Sequence, residues 1–151
     1  MALHLAQLNV ATLRRSIDAP ETADFTAALN PVNAAGEAAE GFVWRLQTDA
    51  GDATSIQAFP NPLTIVNLTV WESQKSLRDF AYRGQHREFF RRRAEWFEPG
   101  SRAVMWWIEA GTLPSVDEAK ARLDHFDRNG PSGHAFEFGH QFPELATALP
   151  S

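Results

Sequence analysis

Apolar and polar residues alternate along several short stretches of the chain and elsewhere recur every three to four positions, which separates strands from helices. Residues 64–71 show the alternation most clearly. Val66, Leu68 and Val70 form an aliphatic row, and Ile65, Asn67, Thr69 and Trp71 form a mixed polar and aromatic one. Residues 3–10 repeat the pattern, with Leu3, Leu5, Gln7 and Asn9 opposed to His4, Ala6, Leu8 and Val10. Residues 42–48 set Phe42, Trp44 and Leu46 against Val43, Arg45 and Gln47, and residues 103–109 read as a fourth strand around Met105-Trp106-Trp107-Ile108.

Helical spacing fills the intervals. Asp18-Ala19-Pro20-Glu21 resembles a capping box opening a helix with the stripe Phe25, Ala28, Leu29 and Val32. Pro31 should bend or restart that helix near Asn30, and Gly41 closes it. Ser73 is the predicted N-cap of a second helix with Leu77, Phe80 and Ala81 buried, broken by Gly84. His86, Phe90, Arg93 and Phe97 then share one helical face that ends before Pro99-Gly100. Ser115-Val116-Asp117-Glu118 caps a last helix, which Asn129-Gly130-Pro131 stops. The turn Thr48-Asp49-Ala50-Gly51-Asp52 and the segment Phe59-Pro60-Asn61-Pro62 make the connection before residue 64 a hairpin.

The predicted order is strand, helix, strand, strand, helix, strand: an α+β, ferredoxin-like β-α-β-β-α-β sheet. One domain is expected over residues 1–151, with its core at 3–110, an extra helix at 115–128 and a tail at 131–151 that holds a further short edge segment near 134–142. With helices on one face only, the polar and aromatic row is expected to meet the same row of a second copy, giving a homodimer of the dimeric α+β barrel type.

Composition narrows the chemistry. Five tryptophans and eleven phenylalanines among 151 residues point to an aromatic-walled pocket or interface. The absence of cysteine removes thiolate nucleophiles and cysteine metal sites, and fits a reducing compartment, with the cytoplasm as the expectation. A formal charge of −5 argues against nucleic acid as a partner. No apolar run approaches the roughly 20 residues of a membrane helix, and the first residues read as a strand rather than a signal peptide. No G-x-G-x-x-G, P-loop or G-x-S-x-G pattern occurs, which argues against nucleotide cofactors and serine hydrolysis.

Four residues are candidates for catalysis. His86 is a candidate proton carrier, or a helix-start histidine bonded to backbone or solvent. Asn9 and Asn67, with Gln7 as a binding residue, are costly in a dry core, so they line a wet pocket or bond one another. Arg45 would hold a carboxylate, phenolate or enolate, or pair with Glu40 or Glu109. Trp44, Trp71, Phe90, Trp96 and Trp106 complete the candidate binding set. The run Arg83, Arg87, Arg91, Arg92 and Arg93 reads as a solvated face. His134, Glu137, His140 and Glu144 fall in the tail at spacings too loose for zinc, and no metal site is expected. The functional readings are a cofactor-free oxygenase, cyclase or isomerase acting on a small aromatic or polyketide-like molecule, a non-catalytic binder of a metabolite or haem, and a structural dimer.

The segments Leu5-Ala6-Gln7-Leu8-Asn9, Gly41-Phe42-Val43-Trp44-Arg45-Leu46-Gln47, Val66-Asn67-Leu68-Thr69-Val70-Trp71-Glu72-Ser73, His86-Arg87-Glu88 and Arg91-Arg92-Arg93-Ala94-Glu95-Trp96-Phe97 resemble the bacterial family known as domain of unknown function 3291. The resemblance spans most of residues 3–142. It implies the dimeric α+β barrel superfamily, whose members include antibiotic-biosynthesis monooxygenases, haem-degrading monooxygenases and polyketide cyclases. The haem-degrading branch uses an asparagine on the first strand, matched by Asn9, with a tryptophan and a histidine after the third strand. This chain departs from that pattern: Phe80 falls at the tryptophan position, and His86 lies about one turn early. Cofactor-free quinone-forming members use Asn, Trp, Tyr, His or Arg to hold a phenolate that itself reduces oxygen, and the resemblance implies no cofactor in that case.

Overall fold

The computed structural model describes residues 2–48, 53, 54, 56–82, 87, 88 and 91–137. Strand β1 (Leu3–Thr12) leads through a 3-10 turn (Pro20–Thr22) into helix α1 (Ala23–Glu37). Strands β2 (Phe42–Arg45) and β3 (Thr64–Trp71) follow, then helix α2 (Gln74–Ala81) and a short helix α3 (Arg93–Trp96). Strand β4 (Arg102–Glu109) and helix α4 (Val116–Asn129) come last. All neighbouring strands pair antiparallel, in the order β2-β3-β1-β4. This is the expected α+β, ferredoxin-like sheet with an added C-terminal helix. The chain then returns to the sheet edge, where Phe136 bridges Met105.

Two of the predicted caps form. The Ser73 hydroxyl accepts from the Ser76 amide at 3.1 Å, and that of Ser115 accepts from the Glu118 amide at 3.0 Å, each satisfying a first-turn donor that the helix cannot. The start of α1 differs. Ala19 precedes the 3-10 turn with no side-chain cap, and the buried Thr22 hydroxyl ties the turn down by donating to the Ser16 carbonyl at 2.9 Å. Pro31 does not restart α1, which runs unbroken through it. Pro31 and Ala27, whose carbonyl loses its amide partner, are both exposed, so water can take that bond.

The two faces of the sheet are covered opposite to expectation. The aliphatic row of Ala6, Leu8, Val66, Leu68, Val70, Val104, Trp106 and Ile108 forms one cluster with Ala119 and Leu123 of α4 and with Ala58. Helices α1 and α2 lie over the polar and aromatic row instead, where Leu77 and Phe80 pack with Leu5 and Trp71. The physical reason is complementarity. Small and branched residues of α4 close flush on a Val and Leu surface, whereas the phenylalanines of α1 and α2 stand away from a row of amides and leave a space between. The polar row therefore faces its own chain rather than a second sheet.

A register shift in β2 between Phe42 and Trp44 changes the side-chain parity of that strand. Phe42 pairs with Trp71 and Arg45 with Thr69, both on the polar face, while Trp44 pairs with Val70 and joins the aliphatic cluster. Strict alternation from Phe42 would have kept Phe42 and Trp44 together.

Described members of the arginine run sit on the surface, as expected of a solvated face. Arg91 pairs with Glu88. Arg92 grips both Glu95 oxygens, at 2.9 and 3.0 Å, and reaches Asp24 of α1 at 2.9 Å, holding the Glu95 carboxyl below its ordinary pKa. Such exposed pairs are individually weak, so Phe25 and Trp96, with ring centroids 5.6 Å apart, carry more of the contact between α1 and α3.

Gly41 is fixed by two independent constraints. Its φ is +84°, and a Cβ there would lie 2.1 Å from Ser76 Oγ and 2.5 Å from Ser76 Cβ at the start of α2. Gly111 has φ +93° with open space around it. Gly41→Ala is expected to cost about 2–4 kcal/mol, strain plus overlap, against about 1–2 kcal/mol for Gly111→Ala, measured by urea unfolding. Equal losses would show that the contact between Gly41 and α2 is not tight.

Candidate functional site

Strand register assembles the site. Asn9 lies opposite Asn67 on β3 and Ala103 on β4, and Gln7 lies opposite Thr69 and Met105. Arg45 extends the Gln7 and Thr69 rung from β2. Since residues two apart share a face, Gln7, Asn9, Asn67, Thr69, Trp71 and Arg45 converge on one side of three adjacent strands. They line a cavity of about 450 Å³ between the sheet and helices α1 and α2, a size suited to a small organic molecule.

The cavity wall is aromatic. Trp71 stacks on Phe80 with centroids 5.3 Å apart and meets Phe42 edge-on at 5.4 Å. Gly36 of α1 lets Phe80 come close, since a Cβ there would lie 3.3 Å from the ring tip. Phe25 and Phe97, in edge contact at 5.2 Å, line another part.

Beneath these rings runs a chain of polar side chains. The Trp71 indole Nε1 donates to Thr69 Oγ1 at 2.9 Å, and the Thr69 hydroxyl donates to Gln7 Oε1 at 3.1 Å. Gln7 Nε2 then donates to Asn9 Oδ1 at 3.1 Å. Trp71 is 1% exposed, Gln7 6% and Thr69 8%, so each link satisfies a group that water cannot reach. Asn9 is half-buried at the cavity, and Asn67 lines the cavity while staying exposed. Sequence reading offered pocket lining and mutual bonding as alternatives for the amides, and Gln7 and Asn9 do both.

Arg45 brings a cation to the same face. Its side chain is only 11% exposed, and its Nε lies 3.3 Å from Glu37 Oε2 at the end of α1, in place of the expected Glu40 or Glu109. The exposed Arg93 also borders the cavity.

Three expected binding residues lie elsewhere. Trp106 is fully buried on the α4 face, where its indole Nε1 donates to Glu118 at 3.2 Å, because its parity matches Ala6 rather than Gln7. Trp44 is carried to that face by the β2 register shift. Trp96 is buried behind Phe25 and supports the wall without forming it. His86 and Phe90 lie outside the described residues, as do His140 and Glu144. Thr69, Phe42 and Phe80 were not singled out as site residues, although Thr69 stands in the same alternating row as Asn67 and Trp71.

Residues 4–149 match the family described as domain of unknown function (DUF3291). The chain belongs to this family. No curated protein matches it. Among solved structures, the DUF3291 chain is similar to a Nitrosomonas europaea protein of unknown function, with 11% identity and a TM-score of 0.53 over 75% of this chain and 96% of that one. A second protein from Nitrosomonas europaea, provisionally described as an antibiotic biosynthesis monooxygenase, gives 13% identity and a TM-score of 0.53 over 72% and 93%. SnoaB, a cofactor-independent oxygenase from Streptomyces nogalater, gives 16% and 0.50 over 76% and 100%. At these identities the likeness shows the α+β fold alone, and the chemistry of this DUF3291 chain has to come from the site.

The resemblance to haem-degrading enzymes can be tested on the lining residues. Haem iron takes an axial imidazole, thiolate, thioether or phenolate. Among the described lining residues there is no histidine or methionine, and the one phenol, Tyr82, is 49% exposed. The described donor set does not fit haem. No group of three or more metal-ligating side chains occurs among the described residues, and no described helix is long and apolar enough to cross a membrane.

Proposed function

We propose that this DUF3291 protein is a small-molecule enzyme of the cofactor-free oxygenase, cyclase or isomerase kind, acting on a flat aromatic or polyketide-like molecule of secondary metabolism. The observation that carries the reading is the cavity itself: stacked and edge-on aromatic rings over a floor of amides, with a nearly buried arginine beside them. The three reaction types share one step. A base removes a proton from a phenol, or from carbon next to a carbonyl, and the electron pair left behind delocalises onto oxygen as a phenolate or enolate. Arg45 and the carboxamides of Asn9 and Asn67 are the groups suited to hold that oxyanion, in a site whose aromatic walls limit the water that competes for it. An oxygenase would then let the anion reduce oxygen, whereas a cyclase or isomerase would return a proton at another atom.

A structural dimer would not call for such a cavity, and a non-catalytic binder would use the same residues without turnover. Native mass spectrometry separates these. A copurified small molecule, lost in Arg45→Met and Asn9→Ala, is the expected result, and no bound molecule or added aromatic acid retained by the wild type would remove the reading. The same spectrum reads the homodimer that belongs to this proposal. Its mass would be twice the 16.9 kDa of one chain.

His86 remains the proton carrier in this proposal on its sequence position alone. Loss of a general base typically costs about 10²- to 10⁴-fold in rate, so His86→Ala should lower turnover by that order with the fold intact by circular dichroism. Undiminished turnover across the neutral pH range would assign the proton transfer to another group.

A further inference from the structure

We infer that Trp71, acting through Thr69 and Gln7, fixes the Asn9 carboxamide with its N–H edge toward the cavity, so that the cavity selects ligands presenting an oxygen acceptor there. An indole N–H can only donate, so the Thr69 oxygen must accept from it. The nearly buried Thr69 hydroxyl must still place its one proton, and Gln7 Oε1 at 3.1 Å is the acceptor it has among the described residues. With Oε1 engaged, Gln7 presents Nε2 to Asn9, and Asn9 must answer with Oδ1. What remains of the Asn9 carboxamide is Nδ2 with its two hydrogens, which has no protein partner among the described residues. A primary amide taken alone could present either edge; here a residue three links away decides. Trp71, Thr69 and Gln7 are thus positioning residues, and the preferred ligand class is a phenolate, enolate or carbonyl oxygen rather than an amine or hydroxyl proton.

The inference rests on the cavity being the ligand site, and the test separates the two. Binding of para-nitrophenolate and para-nitroaniline, which differ in whether they offer an acceptor or a donor, is measured by titration for the wild type, Thr69→Val and Gln7→Glu. The wild type should prefer the phenolate by about tenfold or more, the worth of a hydrogen bond to a charged oxygen, and shift its absorption band to the blue. Thr69→Val cuts the chain while leaving Arg45 in place, so the preference should fall about tenfold and the band shift should shrink. In Gln7→Glu, titrated at alkaline pH so that the carboxyl is ionised, the carboxylate can only accept, which turns Asn9 Oδ1 to the cavity and should bring aniline binding level with or above phenolate binding. Should Thr69→Val fail to fold, Gln7→Glu decides alone. An unchanged preference in a folded variant overturns the polarity argument while leaving the cavity reading intact. Failure of the wild type to bind either probe overturns both.

Discussion

A buried indole N–H has to be given an acceptor, and in this protein satisfying one sets the order of everything on one face of the sheet. Trp71 is almost fully enclosed by Phe42, Phe80 and Leu77, so its nitrogen would lose about 1–3 kcal/mol if left unpaired. Thr69, two residues back on the same face, is the nearest side chain that can accept and still donate. From there the bonds must run in one direction across β1. The same low-dielectric surroundings that make an unpaired group costly make a satisfied chain rigid, and that rigidity is what a binding site needs from its floor.

The partition of the sheet follows from the same economy of polar groups. An aliphatic row closes against α4 with the Trp106 indole's bond to Glu118 as its polar link, and it does so with Leu68, Val70, Val104 and Trp106 at 1% exposure or less. The amide row cannot be closed that way, and α1 and α2 instead roof it with phenylalanines, Gly36 bringing the roof down onto Phe80. The register shift in β2 joins the two arrangements. By moving Trp44 to the aliphatic side and keeping both Phe42 and Arg45 on the other, it gives the cavity one ring and one charge from a four-residue strand.

Much of this was legible in the sequence wherever a local rule decides. Period-two alternation located β1, β3 and β4 within about two residues, and the serine caps at Ser73 and Ser115 formed as their spacing predicts. The grouping of Gln7, Asn9 and Asn67 was visible because alternation alone puts each on the less apolar side of its strand. Which side the helices would cover was not visible, since that depends on the added helix α4 competing for the aliphatic row, a tertiary choice with no local signature. Trp44 and Trp106 were misread for related reasons: a bulge leaves no mark in a hydrophobic pattern, and a tryptophan on the aliphatic side differs from one on the polar side only in parity. Arg45 found Glu37 rather than Glu40 because Gly41 turns the chain back along the last turn of α1.

The direction of the polar chain is open to one direct measurement, hydrogen exchange of side-chain N–H groups followed by NMR with resonances assigned by mutation. If Trp71 drives the chain, its indole proton and the Gln7 amide protons are protected, while the Asn9 amide protons exchange readily with water in the cavity. Protected Asn9 protons would mean that the chain runs the other way, with the Gln7 amide donating to Thr69, and that the cavity presents an acceptor to its ligand.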